Sequence, residues 1–112
     1  MQPKLLKYML DIESVIEEIE SIKQKTQNDF RNFSDDIILQ RAVERDLEII
    51  GEATRKMMEI NPALQITASK NIIGLRNIIS HAYDSIEPEM LWGIIQKNIP
   101  VLADEIRKIK DT

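Results

Sequence analysis

No cysteine occurs among the 112 residues, which removes disulfides, thiol nucleophiles and thiolate metal sites together. No uninterrupted apolar run approaches the roughly 18 residues that would suggest a bilayer span. The opening Met1-Gln2-Pro3-Lys4-Leu5-Leu6-Lys7 has no long apolar stretch followed by a small-residue cleavage site, so it does not read as a secretory signal. A cytoplasmic protein with no membrane association is expected. Basic residues are not in excess either: the formal net charge is -4, which argues against a broad basic face, so any nucleic-acid contact must be local. Glycine and proline number 3 and 4, leaving few turn or breaker positions.

What is present is a globular balance, with 43% hydrophobic and 30% charged residues, rather than the polar mixture of a disordered chain. A chain of this length fits one domain over residues 1–112 and buries roughly two-thirds of its unfolded surface. Ile, Leu, Glu and Lys recur throughout, and these favour helix. From Pro3 to about Gln24, Leu5, Met9, Ile12, Ile16, Ile19 and Ile22 fall three and four apart, the signature of one long amphipathic helix. Pro3 suits its first helical position. The stretch Lys25 to Phe33 lacks that rhythm and leads to Ser34-Asp35-Asp36, whose side chains can accept bonds from the free N–H groups opening a second helix.

Ile38, Ala42, Leu47, Ile49, Ile50, Ala53, Met57 and Ile60 carry that helix to Asn61-Pro62, where the residue before proline leaves helical geometry. Residues 61 to 69 are uncharged and turn-prone, a connector able to hold one short helical turn. A third helix is expected over about Lys70 to Ala82, with Ser69 or Asn71 as its cap. A fourth opens at Glu87-Pro88 with Leu91, Trp92, Ile95 and Ile99 on one side. Pro100 should interrupt it, leaving 101–110 as a kinked continuation or a separate fifth helix. Short connections between long amphipathic helices predict an all-α fold, an antiparallel four-helix bundle with a kinked or split C-terminal helix.

The third helix carries the polar chemistry. Successive residues about 100° apart gather Ile72, Leu75, Ile78, Ile79 and Ala82 on a core-facing side. Arg76, Asn77, Ser80 and His81 fall opposite, with Tyr83 beside Arg76 if the helix persists that far. His81 is the single histidine, and an imidazole pKa of about 6.5 suits proton transfer at neutral pH. Arg76 is permanently cationic and can grip a phosphate or stabilise the charge of a phosphorane. A base and an electrophilic clamp suffice for metal-independent RNA cleavage, with no cofactor: the base removes the ribose 2′-OH proton, that oxygen attacks phosphorus, and an acid protonates the departing 5′ oxygen. With one histidine per chain, two like groups meet only if two protomers bring their third helices together. Taken on spacing alone, an Arg-Asn-x-x-x-His stretch is more often surface polarity with a hydrogen-bonded histidine.

The pattern Arg76-Asn77-x-x-x-His81-x-Tyr83 resembles the signature of the HepT-like toxins of the HEPN superfamily. The flanks agree: Gln40 to Ala53 is similar to that family's second core helix, Ile73-Gly74-Leu75 to its approach to the motif, and Ile86, Leu91-Trp92 and Ile99-Pro100-Val101-Leu102 to its closing helix. Many members carry a tryptophan shortly before the motif, where this chain has Thr67-Ala68-Ser69-Lys70; local packing is expected to differ there. The resemblance implies a homodimeric endoribonuclease toxin, silenced when an MntA-like nucleotidyltransferase antitoxin transfers AMP to the motif tyrosine. It further implies that Arg76 and His81 are catalytic, that Asn77 orients the phosphate or the imidazole with Ser80 beside it, and that Tyr83 is the modified residue. The alternative is a non-catalytic, nucleotide- or substrate-binding subunit of a minimal nucleotidyltransferase.

Outside the motif, Glu52 could reach the site but reads more simply as an exposed or interface carboxylate. Trp92 reads as core, and Met57, Met58 and Met90 as packing. The basic tail Arg107-Lys108-Ile109-Lys110 reads as a solvated helix end placed favourably against the helix dipole.

Overall fold

The computed structural model of the chain describes residues 1–67 and 87–111. Over these the fold is all-helical: α1 (Pro3–Lys25), α2 (Phe30–Ser34), α3 (Ile37–Ile60) and α4 (Pro88–Lys110). Among the described residues no helix is long and apolar enough to cross a membrane. The expected third helix over about 70–82 lies outside the described residues.

The helix ends follow from local chemistry. Pro3 occupies the first turn of α1, where the side chain of Gln2 accepts a bond from the Leu5 N–H at 3.0 Å. At the other end the Thr26 hydroxyl donates to the carbonyls of Lys23 and Ile22, closing α1 on itself. Gln27 and Asn28 then take left-handed φ values of 57° and 53°, which turn the chain. Asp29 caps α2 by accepting from the Arg31 N–H at 2.8 Å. The region without apolar rhythm therefore contains a helix of 5 residues, too short for periodicity to reveal.

Asp36, the last of the three expected capping residues, accepts from the Leu39 N–H at 3.1 Å and opens α3. The helix stops at Ile60, with Asn61 extended ahead of Pro62 and its side chain accepting from the Ala63 N–H at 3.1 Å. Glu87 precedes Pro88 at the start of α4. Pro100 lies inside α4, which runs on to Lys110 as one helix, so residues 101–110 are its C-terminal half and not a separate fifth helix. Proline removes one N–H from the ladder, and Leu102, Ile106 and Ile99, all buried on the same side, hold both halves against the core and offset that loss.

The core is built from one stripe of each long helix. Met9, Ile12 and Ile19 of α1 meet Val43, Leu47, Ile50 and Met57 of α3 and Leu91, Ile95, Ile99, Leu102 and Ile106 of α4, all fully buried. Tyr8 lies beside Lys56 and Glu18 beside Asp46, so α1 and α3 run antiparallel. Lys110 bonds Glu13, and Gln96 bonds Asn28, so α4 is antiparallel to α1 as well. The two partners of α1 touch each other least, the relation of diagonal helices in a bundle. Phe33 anchors α2 under α4, its ring centre 5.2 Å from that of Trp92, with Phe30 edge-on at 6.1 Å. Trp92 is thus a packing residue, as the sequence suggested. Met57 is buried too, whereas Met90 is exposed: it sits about 100° round α4 from Leu91 and faces away from the core.

Gln40 is a buried amide with a defined task, since its Nε2 donates to the carbonyls of Phe33 and Ser34, both at 3.0 Å. It satisfies the C-terminal end of α2 from the first turn of α3. Replacing Gln40 by Ala is expected to lower the unfolding free energy by about 1–3 kcal/mol, the usual cost of orphaning a buried polar group, without loss of helical circular dichroism at low temperature. A urea titration that superimposes on that of the parent would contradict this role.

Candidate functional site

Arg76, Asn77, Ser80, His81 and Tyr83 lie outside the described residues. What the structure describes is the scaffold around them and, on it, a polar seam where α1 and α3 lie side by side. The apolar stripe of α1 passes through Leu5, Met9, Ile12 and Ile16; Tyr8, Asp11 and Glu18 fall along one edge of that stripe. The matching edge of α3 presents Arg45, Asp46, Glu48, Glu52 and Lys56. Antiparallel pairing joins these edges over the length of both helices.

Towards the start of α1 the seam opens into a pocket of about 300 Å³. Ile49 and Ala53 of α3 form its apolar floor. Tyr8 is half-buried at one end, with the ammonium of Lys7 5.2 Å and that of Lys56 5.7 Å from its ring centre. Lys7 also holds Asp11 at 2.8 Å, a bond that raises the lysine's pKa. Glu52, read from the sequence as an exposed or interface carboxylate rather than one reaching the motif, lines this pocket and pairs with Arg55 at 2.6 Å. Arg55 in turn pairs with Glu59, and the hydrogen bond and charge of Glu52, followed by the charge of Glu59, raise its own pKa. Among the described residues no group of three or more His, Asp or Glu side chains is placed to hold a metal ion.

At the far end of the α4 tail the basic residues are engaged, with Arg107 and Lys108 on Asp104 and Lys110 on Glu13 at 2.8 Å. Hydrogen bonding to Lys108 and its charge hold the Asp104 carboxyl below its ordinary range. Two of these cations neutralise a neighbour on α4, and the third ties that helix to α1.

Further along the seam Asp46 is almost sealed, 5% exposed. Burial raises its pKa to about 7, helped by a side-chain hydrogen bond with Glu18 and the nearby Glu18 charge, while Arg45 acts in the opposite direction. Between about pH 4 and pH 7 the unfolded chain gives up this proton and the folded chain keeps it. Stability from this group is therefore present at the acid end of the window, declines as pH rises, and levels off above pH 7. Asp46→Asn keeps a donor for Glu18 without a charge to bury. The variant is expected to match the parent near pH 4.5 and to exceed it by on the order of 2 kcal/mol at pH 8 in urea unfolding. A constant difference across this range would show that the carboxyl does not titrate there.

Residues 12–109 match the family described as Ribonuclease HepT-like. Two proteins bearing the name "Putative RNase" are similar to the chain: one from Caldanaerobacter subterraneus subsp. tengcongensis, 31% identical over 88% of this chain and 89% of its own length, and one from Methanocaldococcus jannaschii, 35% identical over 88% of this chain and 90% of its own. A Thermococcus cleftensis protein named "Probable ribonuclease HepT" is 30% identical over 92% of the chain and 93% of its own length. No solved structure matches significantly. The family match extends from the middle of α1 almost to the end of α4, through the segment that holds Arg76 and His81, and on that extent the chain belongs to the HepT-like ribonuclease family.

Proposed function

We propose that the chain is the toxin of a toxin–antitoxin pair, a metal-independent endoribonuclease that acts in the cytoplasm as a homodimer. The observation that carries this reading is the family match across residues 12–109, a span that includes the Arg76-Asn77-x-x-x-His81-x-Tyr83 pattern whose sequence resembles the signature of the HepT-like toxins. Arg76 binds the scissile phosphate and stabilises its growing negative charge. One His81 takes the ribose 2′-OH proton, the freed oxygen attacks phosphorus, and the bond to the 5′ oxygen breaks as a second His81, from the other protomer, returns a proton to it. The products are a 2′,3′-cyclic phosphate and a free 5′-hydroxyl. Asn77 and Ser80 orient the phosphate.

Silencing by an MntA-like nucleotidyltransferase follows the same electrostatics. AMP attached to Tyr83 sets a phosphate beside Arg76, in the place that the RNA phosphate needs. Cleavage of a labelled RNA by the purified protein in excess chelator is the direct test. Activity is expected to fall by roughly 10²–10⁴ in His81→Ala and in Arg76→Ala, and mixing the two variants should restore part of it if each site draws on both protomers. RNA that is bound but never cut would favour the nucleotide-binding subunit instead.

A further inference from the structure

Among the described residues, the packing of the bundle leaves a pocket open between α1 and α3. Arg45 is exposed and Lys56 is half-buried, and neither forms an ion pair among the described residues. Both cations line the pocket, which sets three basic side chains, Lys7, Arg45 and Lys56, against three carboxylates in a protein that is acidic overall. They stand eleven positions apart on α3, which is three turns and about 20°, so they share one face roughly 16 Å apart along the axis. Tyr8 sits at the Lys56 end, and carboxylates lie between the two cations.

The order along the groove is therefore cation, acceptors, cation with an aromatic ring. An acidic peptide would meet Glu48, Glu52 and Asp11 with like charge along its middle. A single RNA strand carries its negative phosphates at intervals, joined by neutral riboses from which neutral bases project, and the exocyclic amino groups of those bases donate to carboxylates. Asp11 and Glu52 already hold Lys7 and Arg55, which reduces their repulsion of a passing phosphate. Ile49, Ala53 and Tyr8 in the same lining offer apolar and aromatic surface that suits the flat face of a base.

We infer that this groove is an RNA-positioning subsite, in which Arg45 and Lys56 hold two phosphates of one single strand and Tyr8 packs against a base at the Lys56 end. It rests on the reading of the chain as a ribonuclease and adds to it a binding surface on α1 and α3. Phosphates gripped there fix the strand without reading its sequence, so the subsite contributes affinity and register more than base preference.

The test is fluorescence anisotropy of a labelled 12-nucleotide single-stranded RNA with the full chain carrying His81→Ala to prevent turnover, titrated at several salt concentrations. For a single strand, each phosphate that is no longer neutralised by a cation is expected to make the slope of log K against log salt shallower by about 0.7. Arg45→Gln with Lys56→Gln should therefore flatten the slope by about 1.4 and weaken binding at least tenfold. Tyr8→Leu should weaken binding several-fold at unchanged slope. In Tyr8→Phe the ring remains, so binding should stay near that of the parent, separating the ring's role from simple destabilisation.

An unchanged slope and Kd in the double variant, with the parent binding normally, would overturn the subsite, as would a parent that binds no RNA. Cleavage by the unmutated chain, measured separately, bears only on the ribonuclease reading: the subsite can fail while cleavage persists, and salt-dependent binding through Arg45 and Lys56 can hold in a protein that cuts nothing.

Discussion

The arrangement depends on α1 lying between two longer-range partners and satisfying both with one continuous apolar stripe. Leu5, Met9, Ile12, Ile16, Ile19 and Ile22 are buried over 23 residues of helix, and each fully buried aliphatic side chain contributes roughly 1.5–3 kcal/mol to folding. No other described element touches both α3 and α4 so extensively. A helix that must bury its stripe on two neighbours cannot slide or rotate without exposing one of them. The register between Tyr8 and Lys56, and between Glu18 and Asp46, is a consequence of that constraint.

Polar groups on the margin of the stripe inherit this fixed register. Asp46 is held at a core position on α3, 20° round the helix from Met57, where its charge is expensive. The fold tolerates it by keeping the proton and bonding it to Glu18. The same register brings Lys56 to the ring of Tyr8, while Arg45 and Lys56 stay outside the ion pairs of the described residues. Packing fixes the backbone beneath the groove rather than the exposed Arg45 side chain, so a two-helix edge sets the spacing of its charges more firmly than a loop would.

Much of the architecture was legible because it follows from periodicity and from stop signals that act locally. The limits of α1 and α3 fall within a few residues of those expected, since Pro3, Asp36 and Asn61-Pro62 act through their immediate neighbours. The short helix α2 was not, because its identity rests on Phe33 finding Trp92 some sixty positions away and not on any local repeat. Pro100 misled in one respect: a proline costs a helix one hydrogen bond locally, whereas the burial of Leu102 and Ile106 that offsets it is a tertiary effect. Met90 was misjudged since hydrophobic character alone does not assign a face. The motif of Arg76, Asn77, His81 and Tyr83 lies outside the described residues, and the groove was not legible in the sequence. Tyr8 and Lys56 are 48 positions apart in the chain, and only antiparallel pairing shows that they meet. Asp46 alone gave a readable warning, as an acid on the Val43–Leu47–Ile50 stripe.

An acidic chain that handles a polyanion must solve a problem of distribution rather than of total charge. At physiological ionic strength a charge is felt over roughly 8 Å, so the net value of -4 acts mainly through which carboxylates stand within that distance of a phosphate. In this chain the acids near cations are largely committed: Asp11 to Lys7, Glu52 and Glu59 to Arg55, Asp104 to Arg107 and Lys108, Glu13 to Lys110. Such pairs are almost neutral at a distance. The field that a strand meets is then set by cations left over, and on the described surface Arg45 and Lys56 are two of these, arranged in line on one helix face. Overall acidity keeps non-specific nucleic-acid binding low, and affinity is confined to the places where unpaired basic groups are lined up in the order a single strand presents.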